Sequence, residues 1–347
     1  MILNAYPGVE TRGNEEGSSP LLHPNYLVVG IIIIASFFSI LHIGQKSMWF
    51  DEVHSVFFAG LPWSELWAVL SSMEANSGLY YVLLKFWLVF GDSEFAVRAL
   101  SALFAIASVP VLYALARRLF GVRAGLIAII LLSVNAFFIE YAQEARTYSL
   151  AFFLVVLSSY LFVRVIEDPS NKKYFFGYVL ISAISVYAHF FAALVLIAQT
   201  ISVPFLPSNK SRIRQLLVAD LLIAILLIPI LYFIVIKDTG QVTWIPKPSI
   251  HHLKRLFMDL SGDVGNNRYI TGIYLLSCGI AIAHAFVTFL RAGRSIETWR
   301  YAFILFWFGV PITLSFGISF FKPLFINRFL IVSLPGLVLI AGVGISH

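Results

Sequence analysis

The chain has 347 residues, of which 59% are hydrophobic and only 12% charged, and its mean hydropathy is +0.87. A soluble domain needs about twice that share of charge to coat its surface, so the composition excludes one and predicts an all-α polytopic membrane protein. A net charge of +6 raises nucleic acid as a partner, but the basic residues fall in short loops between apolar runs, the pattern of membrane orientation, and no nucleic-acid partner is expected. The one cysteine, Cys278, lies inside an apolar run, which excludes a disulfide framework and a thiolate metal site.

Residues 1–25 form a polar tail without the basic start of a signal peptide, so the apolar run that follows is expected to stay as an anchor. That run, 26–43, is 18 residues long and rises about 27 Å as a helix, enough to cross a bilayer core. After it comes a long loop, 44–97, that opens with Met48-Trp49-Phe50-Asp51-Glu52-Val53-His54-Ser55. Pro62 then starts a segment with Trp63, Leu66, Trp67, Leu70 and Met73 at helical spacing, read as a helix lying on the membrane. The next apolar stretch, 78–90, is too short to span and is read as a second interfacial or re-entrant helix.

Further apolar runs at 98–119, 122–140, 147–166, 174–188, 190–206, 215–236, 269–290, 301–321 and 326–345 bring the expected crossings to about ten, in one transmembrane domain, 26–347. The two runs around His189 form a 33-residue stretch, 174–206, flanked on both sides by basic loops, so it must cross twice with a tight turn at His189. The same rule places Arg117, Arg118 and Arg123, the two loops flanking 174–206, and Arg291, Arg294 and Arg300 inside. The 44–97 loop and a second large loop, 237–268, then lie outside. The expected location is the plasma (inner) membrane. No fixed-period repeat supports an inverted-repeat transporter.

Asp51 and Glu52 at an apolar, half-dry interface lose solvation in their charged form, which favours proton-transfer roles; the plain alternative is a solvated loop that carries acids. They point about 100° apart on a helix, so only one of them can face a pocket. With His54, Glu74, Lys85 and Arg98 they share the outer side with the 140–148 turn, which carries Gln143, Glu144, Arg146 and Tyr148. The long outer loop adds Trp244, His251, His252, Lys254, Arg255 and Asp263, and the last outer turn adds Lys322 and Arg328. So many cations on the side that should be poor in them call for an anion, and a phosphate suits paired arginines; snorkelling or helix capping is the simpler account for some. Arg98, Arg146 and Arg328, with Lys85, are the candidate phosphate ligands. His54, Gln143, Glu144, Tyr148 and His189 are the candidates for a sugar or acceptor. Polar groups within the spans are few (Asp220, Gln199, His284) and form no ladder for an ion path.

Four segments together resemble the bacterial relatives of the dolichyl-phosphate-mannose protein mannosyltransferases, which belong to the multi-spanning GT-C glycosyltransferases. They are Trp49-Phe50-Asp51-Glu52, Leu79-Tyr80-Tyr81 running on to Gly91-Asp92-Ser93-Glu94-Phe95-Ala96-Val97-Arg98, Tyr141 through Tyr148, and Tyr187-Ala188-His189-Phe190-Phe191. Asn327-Arg328-Phe329 with Pro335 is similar to a late element of the same family, and the lipid A aminoarabinose transferases are more distant relatives. The usual Pro-Pro before Leu-Tyr-Tyr is replaced by Asn76-Ser77-Gly78. Many members also continue past the tenth span, whereas this sequence ends at His347, as a short member or a fragment would.

The resemblance implies a GT-C-like fold and inverting transfer of a sugar from a polyprenyl-phosphate carrier to a lipid, glycan or protein acceptor on the outer face. It also implies that Asp51 is the catalytic acid/base, with Glu52 beside it, and that Arg98 contacts the carrier phosphate. The alternative, a transporter or flippase of lipid-linked sugars, lacks an intramembrane polar path. No cofactor is expected. Asp51, Glu52 and His54 could ligate Mg or Mn, but adjacent acids chelate one ion poorly, and no Asp-x-Asp motif is present.

Overall fold

The computed structural model describes residues 24–72, 74–236, 245, 247–263 and 268–347; the polar tail up to residue 23 and Met73 and Trp244 lie outside the described residues. Every regular element among them is helical. The anchor is α1 (Pro24–Ile40); three short helices, α2 (Phe50–Gly60), α3 (Trp63–Ser72) and α4 (Gly78–Trp87), fold the first loop. The bundle continues through α5 (Glu94–Ser133), α6 (Ala136–Ala142), α7 (Tyr148–Glu167), α8 (Lys172–Ala188), α9 (Ala192–Ser202) and α10 (Lys210–Ile236). A short amphipathic α11 (Ile250–Leu260) precedes α12 (Tyr269–Ala292), α13 (Ile296–Ile318), a 3-10 segment (Asn327–Ser333) and α14 (Leu334–Ser346).

Six of these helical segments are long and apolar enough to cross a membrane, and the chain is a multi-pass membrane protein. The expected count of about ten also takes in the shorter α1, α8 and α9 and treats α5 as two legs. α5 does break: Gly121 has φ 87° and ψ 179° inside it, a backbone conformation open to glycine, and it falls among Arg117, Arg118 and Arg123, where the charge pattern places an inner turn. The 33-residue apolar stretch breaks at His189, which ends α8 with extended backbone (φ −158°, ψ 126°) before α9 starts at Ala192.

The helices pack through small residues and satisfied polar groups, as lipid-embedded bundles do. A Cβ on Gly344 would overlap the Ser277 carbonyl, so α14 and α12 touch backbone to backbone. Gln199 is fully buried: its Oε1 accepts from Tyr178 Oη at 2.9 Å and its Nε2 donates to Ser159 Oγ at 3.1 Å, joining α7, α8 and α9. Trp299 on α13 donates to Ser202 Oγ at 3.0 Å. Each such bond contributes about 0.6 kcal/mol in a membrane bundle.

The first loop is an annex to this bundle. Its own small core joins Phe58 and Ala59 of α2, Leu66 of α3 and Tyr80, Tyr81 and Leu84 of α4 to Val97, Leu100 and Leu150 of α5 and α7. Trp63 and Trp67 on α3 remain more than half exposed, as suits a helix at headgroup level. The departure Asn76-Ser77-Gly78 is a 3-10 turn leading into α4. Asn76 Oδ1 accepts the Phe190 N–H at 2.9 Å, so the side chain stitches the first loop to the turn at His189.

Candidate active site

The start of α2 places the two acids. Trp49 precedes the helix, Asp51 and Glu52 occupy its first turn, where the helix dipole favours negative charge, and Glu52 Oε2 accepts the Trp49 N–H at 3.3 Å. One residue apart on a helix, the two carboxylates diverge. Asp51 stays partly open, 24% exposed, and its Oδ2 lies 3.1 Å from Arg328 Nη1. Glu52 turns inward and is 1% exposed, in a bidentate pair with Arg98: Nε to Oε1 at 2.7 Å and Nη2 to Oε2 at 2.7 Å. Its Oε1 also accepts the Ala145 N–H at 2.9 Å.

Asp51 and Arg328 form one wall of a cavity of about 620 Å³, with Trp49, Phe50, Tyr141, Ile326 and Asn327. The Arg328 guanidinium lies between the Trp49 and Phe329 rings, 5.5 and 5.8 Å from their centroids. Asn327 Nδ2 donates to Asp259 Oδ2 at 2.5 Å, which fixes the 3-10 segment to α11. Behind Trp49 a second cavity of about 630 Å³ is bounded by Lys46, Ser47, Glu52, Arg98, Glu140, Gln143 and Glu144, among others.

The turn between α6 and α7 supplies Arg146. Its Nη1 donates to the Tyr81 hydroxyl at 3.1 Å and to the Asp51 carbonyl at 3.3 Å, and Tyr81 donates onward to Glu74 Oε2 at 3.0 Å. No carboxylate pairs with Arg146 among the described residues. Ten buried side-chain N and O atoms among the described residues lack a hydrogen-bond partner, and four of them belong here: Arg146 Nε, Arg328 Nε, Tyr148 Oη and Glu144 Oε2. Leaving a buried polar atom unpaired costs about 1–3 kcal/mol, so their concentration at one place marks a surface shaped for a polar ligand. Tyr148 is 1% exposed, and its hydroxyl lies among Arg146, Arg328, Glu144 and Asp51.

Burial pushes the Glu144 carboxyl up to about 8, helped by the Glu52 charge and opposed by Arg328 and Arg146, so it carries a proton at neutral pH. His189 is buried beside Tyr148 and Phe329. Burial first, then the Arg146 and Arg328 charges, push its imidazole down to about 3, so it is neutral. Its Nδ1 accepts the Phe191 N–H at 3.2 Å.

Asp51, Arg146, Arg328, Glu144, Tyr148 and His189 therefore gather at one place. Other candidates need correction. Glu52 is no free base, because its oxygens are already hydrogen-bonded. Arg98 offers nothing to a phosphate: beyond Glu52, its Nη1 donates to the Ile43 and Lys46 carbonyls at 2.8 and 2.7 Å and its Nη2 to Ser47 at 3.1 Å, which occupies all five N–H groups. Lys85 caps the end of α2, donating to the Ala59 carbonyl at 3.2 Å and to Leu61, with its ammonium over the Trp63 ring. Gln143 likewise caps α1, its Nε2 donating to the Phe38 and Leu41 carbonyls at 2.8 and 2.9 Å. His54 donates from Nδ1 to the Phe50 carbonyl at 2.9 Å, meets the Phe50 and Phe58 rings at steep angles, and lines neither cavity. Asp51 pairs with Arg328 and Glu52 with Arg98, and no group of three or more His, Cys, Asp or Glu is arranged as a metal site among the described residues. Tyr81, Asn76 and Asn327 are not among the site residues the sequence points to, although Tyr81 and Asn327 lie inside the family-like elements and Asn76 inside the departure from them; their bonds to Arg146, Phe190 and Asp259 come from distant segments.

A sequence model of the dolichyl-phosphate-mannose-protein mannosyltransferases matches residues 78–236. Over that stretch, a little under half of its length, the chain is similar to these mannosyltransferases. Among curated proteins none matches it by sequence. Among solved structures it is similar to ArnT from Cupriavidus metallidurans bound to undecaprenyl phosphate, with a TM-score of 0.64 and 14% identity over 92% of this chain and 60% of that one. It is also similar to the oligosaccharyltransferase of Archaeoglobus fulgidus in complex with Zn and sulfate (TM-score 0.54, 12% identity, 92% of this chain and 48% of that one). The same organism's AglB with an inhibitory peptide and a dolichol-phosphate gives a TM-score of 0.55 at 11% identity, over 94% and 51%. At these identities the likeness is one of fold, the GT-C fold. The chain spans 60% of ArnT and about half of the archaeal enzyme.

Proposed function

We propose that this protein moves a sugar from a polyprenyl-phosphate carrier to an acceptor hydroxyl, with inversion, at the outer face of the plasma membrane. One observation carries the reading: Asp51, paired with Arg328 on a cavity wall, stands beside the unpartnered donors of Arg146, Arg328 and Tyr148. That set combines a base with cations for a leaving phosphate. Asp51 takes the proton of the acceptor hydroxyl as its oxygen bonds to the anomeric carbon. The bond from that carbon to the phosphate oxygen breaks, and the charge that develops on the phosphate is met by Arg146 and Arg328. Direct displacement with a single base inverts the centre. The similar ArnT structure holds undecaprenyl phosphate and the similar AglB structure a dolichol-phosphate, which supports a polyprenyl carrier here. The sugar is a hexose or pentose and the acceptor a lipid, glycan or protein. The alternation of basic loops supports ten crossings with the Asp51 loop outside.

The test is transfer from a radiolabelled sugar on undecaprenyl phosphate, using membranes that contain the protein and so supply the acceptor. Label should move to a lipid, glycan or protein fraction with stoichiometric release of undecaprenyl phosphate. Wild-type membranes that turn over none of a panel of hexose and pentose donors, above membranes lacking the protein, would refute the proposal.

A further inference from the structure

We infer that Glu52 and Arg98 are positioning residues: one buried carboxylate sets the separation between the base at Asp51 and the phosphate-binding arginine at 146. The inference rests on the proposed reaction. It starts from a contrast within the site. Around Asp51, Arg146, Tyr148 and Glu144 carry polar atoms without partners, whereas Glu52 and Arg98 have none to spare. The Glu52 carboxylate accepts four N–H groups, from Trp49, Ala145 and twice from Arg98, and the Arg98 guanidinium places all five of its own.

What these bonds join matters more than their number. Arg98 holds the carbonyls of Ile43, Lys46 and Ser47, where the chain leaves α1; Glu52 holds the first turn of α2; and Ala145 belongs to the turn between α6 and α7. Asp51 directly precedes Glu52, and Arg146 directly follows Ala145. A shift of the one carboxylate therefore displaces both the base and the cation and changes the spacing between them. The far side of the unit is closed by Arg146 Nη1, which returns to the Asp51 carbonyl at 3.3 Å. Stability is a poor reason for such a pair, since buried ion pairs are often matched or bettered by apolar residues of the same volume. Directional bonds to four chain segments at once are something apolar packing cannot supply.

Glu52→Asp tests the idea, because a side chain about 1.5 Å shorter can still pair with Arg98 but cannot also reach Ala145. The variant is expected to accumulate near the wild-type level, with the donor KM raised at least tenfold and kcat lowered as well, because the base is displaced along with the cation. The acid limb of its pH–rate profile should not move, because Asp51 remains the base. A catalytic Glu52 would instead shift that limb and lower kcat at unchanged KM, and would overturn the inference. Should Glu52→Asp not accumulate, the paired change Glu52→Gln with Arg98→Gln removes both buried charges and should show the same rise in KM. Failure of both to accumulate would assign Glu52 to folding alone and overturn it too.

Binding gives a readout without turnover: undecaprenyl phosphate should raise the melting temperature of the full chain in detergent, and Glu52→Asp should need at least tenfold more for the same shift. Equal binding by wild type and variant overturns the positioning role. No binding or transfer by the wild type overturns the proposed reaction itself.

Discussion

Replacing Asp51 with Asn keeps the size of the side chain and removes the base. The structure sets how much else changes. The Asp51 side chain is 24% exposed and the Arg328 guanidinium pairs with its carboxylate from a side chain 19% exposed, so the ion pair is worth no more than about 1 kcal/mol to the fold. The bond from Arg146 goes to the Asp51 backbone carbonyl and survives the change. Arg328, released from its partner, is free to meet a phosphate, so the donor KM should stay level or fall. The loss then appears in kcat alone, by about 10²–10⁴-fold, or about 3–5 kcal/mol in the barrier. The assay is sugar transfer from a polyprenyl-phosphate donor in membranes matched for protein level, with donor concentration varied. Transfer by Asp51→Asn within tenfold of wild type, or a loss confined to KM, refutes the assignment of Asp51 as base.

Arg146→Lys and Arg328→Lys should each accumulate normally and raise the donor KM about tenfold, since lysine cannot offer two parallel donors to a phosphate; unchanged KM in both removes the phosphate site. Arg98→Gln should lower the melting temperature, by leaving buried Glu52 without its cation at about 3–5 kcal/mol, and raise the donor KM through the displaced Glu52; an unchanged melting temperature would refute the buried pairing of Arg98 with Glu52. Glu144 binds its proton more tightly folded than unfolded, so its contribution to stability is present below about 4.5 and is lost as pH rises to about 8, with a slope of up to about 1.4 kcal/mol per pH unit. Glu144→Gln should flatten the melting temperature between those limits and keep activity near neutral pH; an unchanged slope shows that Glu144 is ionised in the fold. With Cys278 replaced, cysteine at the exposed Phe57 should react with an impermeant thiol reagent in intact cells and cysteine at the exposed Ser170 should not; the reverse inverts the topology.

Much of the bundle was legible because lipid makes sequence speak plainly. An apolar run must become a helix to satisfy its backbone, and charge says where it must turn. Two basic loops around one 33-residue stretch sufficed to place the break at His189, and the arginines around residue 121 marked the bend that Gly121 allows in α5. The short helices of the first loop were visible for the same reason, through Trp63 and Trp67 at helical spacing and an apolar segment too short to span. Crossing number was harder to read. α1, α8 and α9 are 17, 17 and 11 residues long, near or below the length a bilayer core requires, and hydropathy alone does not say how tilt or neighbouring helices make up the difference.

The site was legible as an inventory and not as an arrangement. The cations near Asp51 could be read from the sequence, but not which of them were already engaged, since that depends on carbonyls distant in sequence. Arg98 finds three of them where the chain leaves α1, Gln143 finds two at the end of α1, and Lys85 caps α2. Each is the kind of residue that binds a phosphate or a sugar, and each is held by backbone. Asp51 and Glu52 make the point within a single turn. Their chemistry is the same and their positions differ by one residue, yet one meets Arg328 at a cavity wall and the other lies under Trp49 with four donors on its oxygens. What separates a working residue from a supporting one here is the balance of hydrogen bonds around it. A saturated group holds its neighbours in place, and an unsaturated buried one, as at Tyr148, Arg146 and Arg328, is held in place by them until a ligand completes its bonds.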